Sequence, residues 1–252
     1  MAVITPRIRW GSREVDWTWI PASVDELAQT LRPLLAEAIG VLVFTFLAGA
    51  AIVINSQEEL GVLGMGVATA AAYAIIVSAI YPVSGGHINP AVTLGMVGAR
   101  RMPPSIALLY IGAQFGGAIV GALLLSLIFD DFVGDAAQTA SLFFRSGTGL
   151  WTGGLLEAIL TFMLVVVFFR VFVDPKGDRS LGGFSLGLVV LFGFLVAWPL
   201  TGGALNVARV FGTGLVAGEW TDFGSYWLGM AGGFVAGLLY EYLFAAGGGE
   251  QA

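Results

Sequence analysis

The sequence predicts an all-α membrane protein with six transmembrane helices and two re-entrant half-helices, built as an inverted three-helix repeat. Three observations predict it. Of 252 residues, 57% are hydrophobic and 11% charged, with mean hydropathy +0.88, more apolar surface than one water-soluble globule can bury. Six apolar runs each reach the roughly 20 residues a membrane helix needs. The chain is also written twice: Glu37-Ala38-Ile39 with Thr45 recurs as Glu157-Ala158-Ile159 with Thr161, and SGGHINPAVTLG at Ser84–Gly95 recurs as TGGALNVARVFG at Thr201–Gly212.

The elements follow in order. Residues 1–32 read as a cytoplasmic N-terminal segment; its basic and acidic residues leave no continuous apolar core, so no cleavable signal peptide is expected and the first span serves as insertion signal. Ser23-Val24-Asp25-Glu26 has capping-box spacing, which predicts a short surface helix leading to a bend at Pro33. The spans are Leu34–Ile54, Val62–Tyr81, Ser105–Phe129, Leu150–Val173, Leu181–Leu200 and Phe223–Phe244. Ser84–Val97 and Thr201–Val216 are shorter and open on Gly-rich stretches, so they read as re-entrant half-helices, whose irregular backbone is tolerated at membrane depth only inside protein or along a cavity. The Gly117-x-x-x-Gly121 and Gly233-x-x-x-Gly237 pairs predict close helix packing within the protomer. Residues 246–252 form a tail.

Orientation follows from charge. With both termini inside, nine of the eleven basic residues are cytoplasmic and only Arg145 and Arg209 lie elsewhere. Trp151, Trp198 and Trp220 then fall toward the outer interface, and Trp10, Trp17 and Trp19 along the inner one. Each repeat, about 33–129 and 150–245, holds an odd number of spans, so the second is inverted and the broken segments meet near the bilayer midplane. Cysteine is absent and His87 is the only histidine, so no metal site is expected. The net charge of −6 is spread over loops and names no partner.

The residues resemble the aquaporins of the major intrinsic protein family, whose mark is a pair of Asn-Pro-Ala loops. The first is complete as Asn89-Pro90-Ala91, inside Ser84-Gly85-Gly86-His87-Ile88; the second reads Asn206-Val207-Ala208-Arg209, with Val207 where the family usually has proline. Tyr110-Ile111-Gly112-Ala113-Gln114 and Tyr226-Trp227-Leu228-Gly229 extend the likeness over residues 33–245, a single aquaporin-like channel domain.

The motif has a physical reading of its own. Asparagine favours the N-cap and proline the first helical position, so each motif starts a half-helix. Two such starts meeting at the midplane place both positive dipole ends at one point and repel cations. The Asn89 and Asn206 amides would donate to one passing water and turn both its hydrogens outward, so it cannot relay a proton.

The resemblance further implies two ladders of backbone carbonyls, from Gly85, Gly86, His87 and Ile88 and from Gly202, Gly203, Ala204 and Leu205. Family spacing implies an outer selectivity filter of Thr69, Phe194, Gly203 and Arg209. It implies that Glu37 and Glu157, costly inside apolar spans, hydrogen-bond the loops; proton relay is the other reading. An arginine at membrane depth reads as functional, against a snorkelling side chain or one paired with Glu219 or Asp222.

The implied function is a passive channel for water in the cell (plasma or inner) membrane, assembled as a homotetramer, without cofactor, enzymatic activity or nucleic-acid partner. Val210 after Arg209, and Tyr226-Trp227 in the last span, separate the chain from glycerol facilitators, which typically have Asp and Pro-Leu there. Small Thr69 and Gly203 keep glycerol, urea or undissociated acids open as permeants. A secondary transporter, which also uses inverted repeats and broken helices, and a junctional membrane protein are the readings from other classes.

Overall fold

The computed structural model describes residues 7–10, 13–16 and 24–242, with side chains from 30 to 242. Ser23 of the capping box, Trp17, Trp19 and the tail at 246–252 lie outside the described residues, as does the predicted end of the last span at Phe244. A hairpin not anticipated from the sequence, β1 (Arg7–Trp10) and β2 (Arg13–Asp16), pairs antiparallel with Arg7 opposite Asp16.

The short surface helix and bend are corrected. Helix α1 (Val24–Glu58) runs unbroken through Pro33. Glu26, Leu27, Ala28, Gln29, Leu31 and Arg32 are strong helix formers, and together they outweigh one missing N–H. The Asn55 side chain then accepts from the Gly61 amide at 2.7 Å and closes the turn into α2 (Gly61–Ser84). After half-helix α3 (Pro90–Gly98), α4 (Pro104–Val133) opens on Pro104, where a missing donor costs nothing.

A short α5 (Ala136–Ala140) follows, capped by Asp135, whose carboxylate accepts from the Gln138 amide at 2.7 Å. Five residues are too few to show a period. Helix α6 (Leu150–Phe168) widens into a π-helical turn at Phe169–Val173, closed by an Arg170–Asp174 ion pair. The Lys176 amide first, and Arg170 with it, hold the Asp174 carboxyl below its usual range. Then come α7 (Gly182–Thr201), half-helix α8 (Val207–Ala217) and α9 (Phe223–Tyr240).

Five helices are long and apolar enough to cross a bilayer among the described residues. The sixth predicted span is α9, whose 18 residues rise about 27 Å, close to the hydrocarbon thickness. The packing repeats: α1 lies on α4 as α6 lies on α9, α2 crosses to α7, and each half-helix docks on the other repeat's last span, α3 on α9 and α8 on α4.

Small residues make those approaches possible. A Cβ on Gly117 would stand 2.1 Å from the Ala38 carbonyl oxygen of α1, and one on Gly237 would stand 2.0 Å from the Gly95 carbonyl oxygen of α3. Large apolar side chains such as Ile75, Leu108, Leu127 and Phe192 point outward, as lipid contact requires. Of the predicted outer tryptophans, Trp151 and Trp220 are exposed, and Trp198 is half-buried and stacks on Phe194 with ring centroids 4.9 Å apart. Phe194 lies one turn before Trp198 on the same helix, so the two rings meet along one face of α7.

Candidate functional site

The two loops share one backbone. Helices α2 and α7 each carry a proline in the last turn, Pro82 and Pro199, and each ends on a left-handed glycine, Gly85 (φ 89°) and Gly202 (φ 79°). Ile88 (φ 40°) and Leu205 (φ 50°) then adopt positive φ, which is costly for a non-glycine residue and most of all for a β-branched one.

Hydrogen bonds from a buried carboxylate hold each loop in that shape. Glu37 Oε1 accepts from Ser84 Oγ (2.7 Å) and the His87 amide (2.9 Å), and Oε2 from the Ile88 amide (2.7 Å) and Gln114 Nε2 (2.8 Å). In the second repeat, Glu157 Oε1 accepts from Thr201 Oγ1 (2.5 Å) and the Ala204 amide (3.0 Å), and Oε2 from the Leu205 amide (2.8 Å). Tyrosines brace the loop entries: Tyr110 donates to the Ser84 carbonyl at 3.0 Å and Tyr226 to the Thr201 carbonyl at 2.6 Å.

His87 is fixed by its neighbours. The Thr93 hydroxyl donates to the Asn89 carbonyl (3.3 Å) and accepts from Gln114 Nε2 (3.0 Å), so His87 Nδ1, 3.1 Å away, carries the proton it donates to Thr93.

Both asparagines cap their half-helices. Asn89 Oδ1 accepts from the Ala91 amide (2.9 Å) and Asn206 Oδ1 from the Ala208 amide (3.1 Å). Pro90 and Val207 follow as the first helical residues. The capping amides also tie the loops together, Asn89 Nδ2 donating to the Leu205 carbonyl (2.7 Å) and Asn206 Nδ2 to the Ile88 carbonyl (2.8 Å). Each NH2 group has two hydrogens, so one per asparagine remains for another acceptor. Among the described residues no donor bonds the carbonyls of Gly85, Gly86, His87, Gly202, Gly203 or Ala204.

Thr69, Phe194, Gly203 and Arg209, the residues the spacing singled out, are all buried. Gly203 backs directly on Phe194, because a Cβ there would stand 2.9 Å from the Phe194 Cα. Arg209 is 3% exposed, and its Nη1 and Nη2 meet no acceptor among the described residues. Its guanidinium lies 5.7 Å from the centroid of Phe44. The alternative partners, Glu219 and Asp222, are engaged elsewhere: Glu219 with the Thr221 amide (2.7 Å) and Asp222 with the Phe144 amide (3.1 Å).

Two residues here escaped the sequence reading. Phe44 of α1 meets Tyr73 of α2 edge to face, with centroids 5.1 Å apart. The available signal was the spacing of Thr69 and Tyr73, four residues apart and so on one helix face. On the outer side, Ile52, Asn55, Leu142, Arg145, Trp198 and Gly202 line a cavity of about 180 Å³. The Arg145 guanidinium lies 5.3 Å from the rings of both Phe143 and Trp198.

Comparison with known proteins gives three findings. The family model described as "Major intrinsic protein" matches residues 25–240. Among curated proteins, "Aquaporin TIP4-4" of Zea mays is 37% identical over 235 residues, covering 89% of this chain and 91% of that one. "Probable aquaporin TIP2-2" of Oryza sativa subsp. japonica is 34% identical over 230 residues, covering 87% and 90%. Among solved structures, the aquaglyceroporin from Plasmodium falciparum superposes with a TM-score of 0.75 at 22% identity, covering 86% of this chain and 98% of that one, a likeness of fold.

Proposed function

The chain belongs to the major intrinsic protein family, and from that premise we propose that it is a passive transmembrane channel for water that excludes protons and ions. The observation that carries the reading is the pair of asparagine amides, each tied to the opposite loop by one hydrogen and left with a second. Those free hydrogens bond the oxygen of a single water, whose own hydrogens then point away along the path. The half-helices α3 and α8 present their N-termini to the same point, so a hydronium or metal cation meets two positive dipole ends. The open loop carbonyls accept from waters on either side, and Arg209 adds a fixed positive charge.

The carboxylates take a structural part. Glu37 and Glu157 face donors of their own loops, which supports bracing over proton relay. A transporter needs coupling-ion ligands at the midplane, and here that level holds amides tied across the loops. The small side chains at Thr69 and Gly203 favour a second reading, passage of glycerol or urea with water.

The chain is a multi-pass membrane protein. The finer placement, both termini cytoplasmic and residence in the cell membrane, rests on the nine basic residues at 7, 9, 13, 32, 100, 101, 170, 176 and 179, before or early in α1, after α3 and between α6 and α7. Homotetramer assembly rests on the family likeness and is tested by cross-linking in the membrane.

Stopped-flow shrinkage of vesicles containing the purified protein separates the readings. With an impermeant sugar outside, shrinkage should be faster than in empty vesicles. With glycerol outside it should be equally fast and not followed by reswelling above the empty-vesicle rate. Rapid reswelling would establish the neutral-solute reading instead.

A further inference from the structure

Four buried polar atoms near the path have no protein partner among the described residues: Thr69 Oγ1, the Tyr73 hydroxyl, and Nη1 and Nη2 of Arg209. Buried polar groups are normally satisfied. The chemistry common to the four is that of a line of hydrogen-bonding positions for a small neutral molecule, and the sequence reading accounts for Thr69 and Arg209 only.

Tyr73 stands out by comparison with the second repeat. Ser84 and Thr201 occupy equivalent loop positions 117 apart, and on that register Thr69 and Tyr73 of α2 correspond to Leu186 and Val190 of α7. Both α7 residues are apolar and buried in the core. Packing at this place in the fold therefore does not call for a phenol. The Tyr73 ring lies edge-on against Phe44, the residue beneath the Arg209 guanidinium, and its hydroxyl stands by the Asn89 amide without reaching hydrogen-bond geometry. It thus sits about 6 Å further along α2 than Thr69, on the side of the asparagine loop.

We propose that Tyr73 is an inner specificity-determining residue: its ring narrows the path between Arg209 and the paired asparagines, and its hydroxyl bonds the permeating molecule there. This rests on the channel reading. Size exclusion then lies one helical turn inside the outer filter. The small Thr69 and Gly203 leave the outer level open, and the bulk missing there is supplied by Tyr73 with Phe44.

The test uses purified full-length protein in vesicles, with glycerol as the permeant probe and impermeant sugar as the osmotic control. Tyr73→Val should conduct water and raise glycerol permeability about ten-fold over the parent. Tyr73→Phe, which keeps the ring, should still exclude glycerol and slow water about five-fold through the loss of one hydrogen bond. Phe194→Gly alone should still exclude glycerol. A water-conducting Tyr73→Val that remains glycerol-tight overturns the inference, as does glycerol entry through Phe194→Gly alone. If Tyr73→Val does not fold, Tyr73→Phe decides: parental water flux, or glycerol entry, overturns the inference. Parental protein that moves water no faster than empty vesicles overturns the channel reading and this inference with it.

Discussion

Glu157→Gln isolates what the buried carboxylate contributes to loop geometry. The carboxylate faces three donors, Thr201 Oγ1 and the amides of Ala204 and Leu205. Glutamine offers one carbonyl oxygen and one NH2. With its oxygen kept toward Thr201 and Ala204, its NH2 meets the Leu205 N–H, and two donors then oppose each other in a buried site. One charge-assisted bond, worth about 1.5–3 kcal/mol, is lost and a buried N–H is orphaned. Taken together the cost is about 3 kcal/mol, and it falls on Leu205, already held at φ 50°.

A chain of this size shifts by about 2–4 °C per kcal/mol, so the melting temperature of purified Glu157→Gln in detergent should fall by about 6–12 °C. Water permeability in vesicles should drop with it, because the Leu205 carbonyl that anchors Asn89 moves. Glu37→Gln should cost at least as much, since Gln114 is a fourth donor on Glu37. A Glu157→Gln protein melting within about 1 °C of the parent, with parental water flux, would refute the claim that the carboxylate holds the loop.

Arg209→Val removes the fixed charge while the asparagines and carbonyls stay in place; protons and small cations should leak measurably in a dye assay while water still passes, and an unchanged leak would return Arg209 to a packing role. Val207→Pro should keep water permeability within a few-fold and raise stability by about 0.4–1 kcal/mol, read as an equal or higher melting temperature, because a first-position N–H has no partner inside the helix. Gly237→Ala forces α9 away from the Gly95 carbonyl 2.0 Å from the new methyl and should cost about 1–3 kcal/mol, whereas Gly112→Ala meets nothing within 4 Å and should melt no lower than the parent.

The helices were legible because a bilayer demands long apolar runs, and the repeat because Glu37 and Glu157 recur with their loops. The α1 bend was misread because proline was weighed alone, without the helix formers on its N-terminal side. The hairpin at Arg7–Asp16 and α5 are too short for periodicity to mark. In the site, the asparagines announce themselves by motif, but their bonds to Ile88 and Leu205 join residues more than a hundred positions apart, and no local pattern encodes them. Tyr73 was hidden for another reason. On a helix apolar along most of its length, a tyrosine reads as packing; its four-residue spacing from Thr69 was the local hint, and its unpartnered hydroxyl sets it apart in the structure.

The most direct test follows water and protons in the same vesicles, with light scattering for volume and an internal pH dye, under a sugar gradient and then under a proton gradient. The account predicts osmotic shrinkage well above the empty-vesicle rate and a proton leak equal to that of empty vesicles. Shrinkage accompanied by a protein-dependent proton leak would contradict the paired-asparagine barrier, and shrinkage no faster than in empty vesicles would contradict the channel itself.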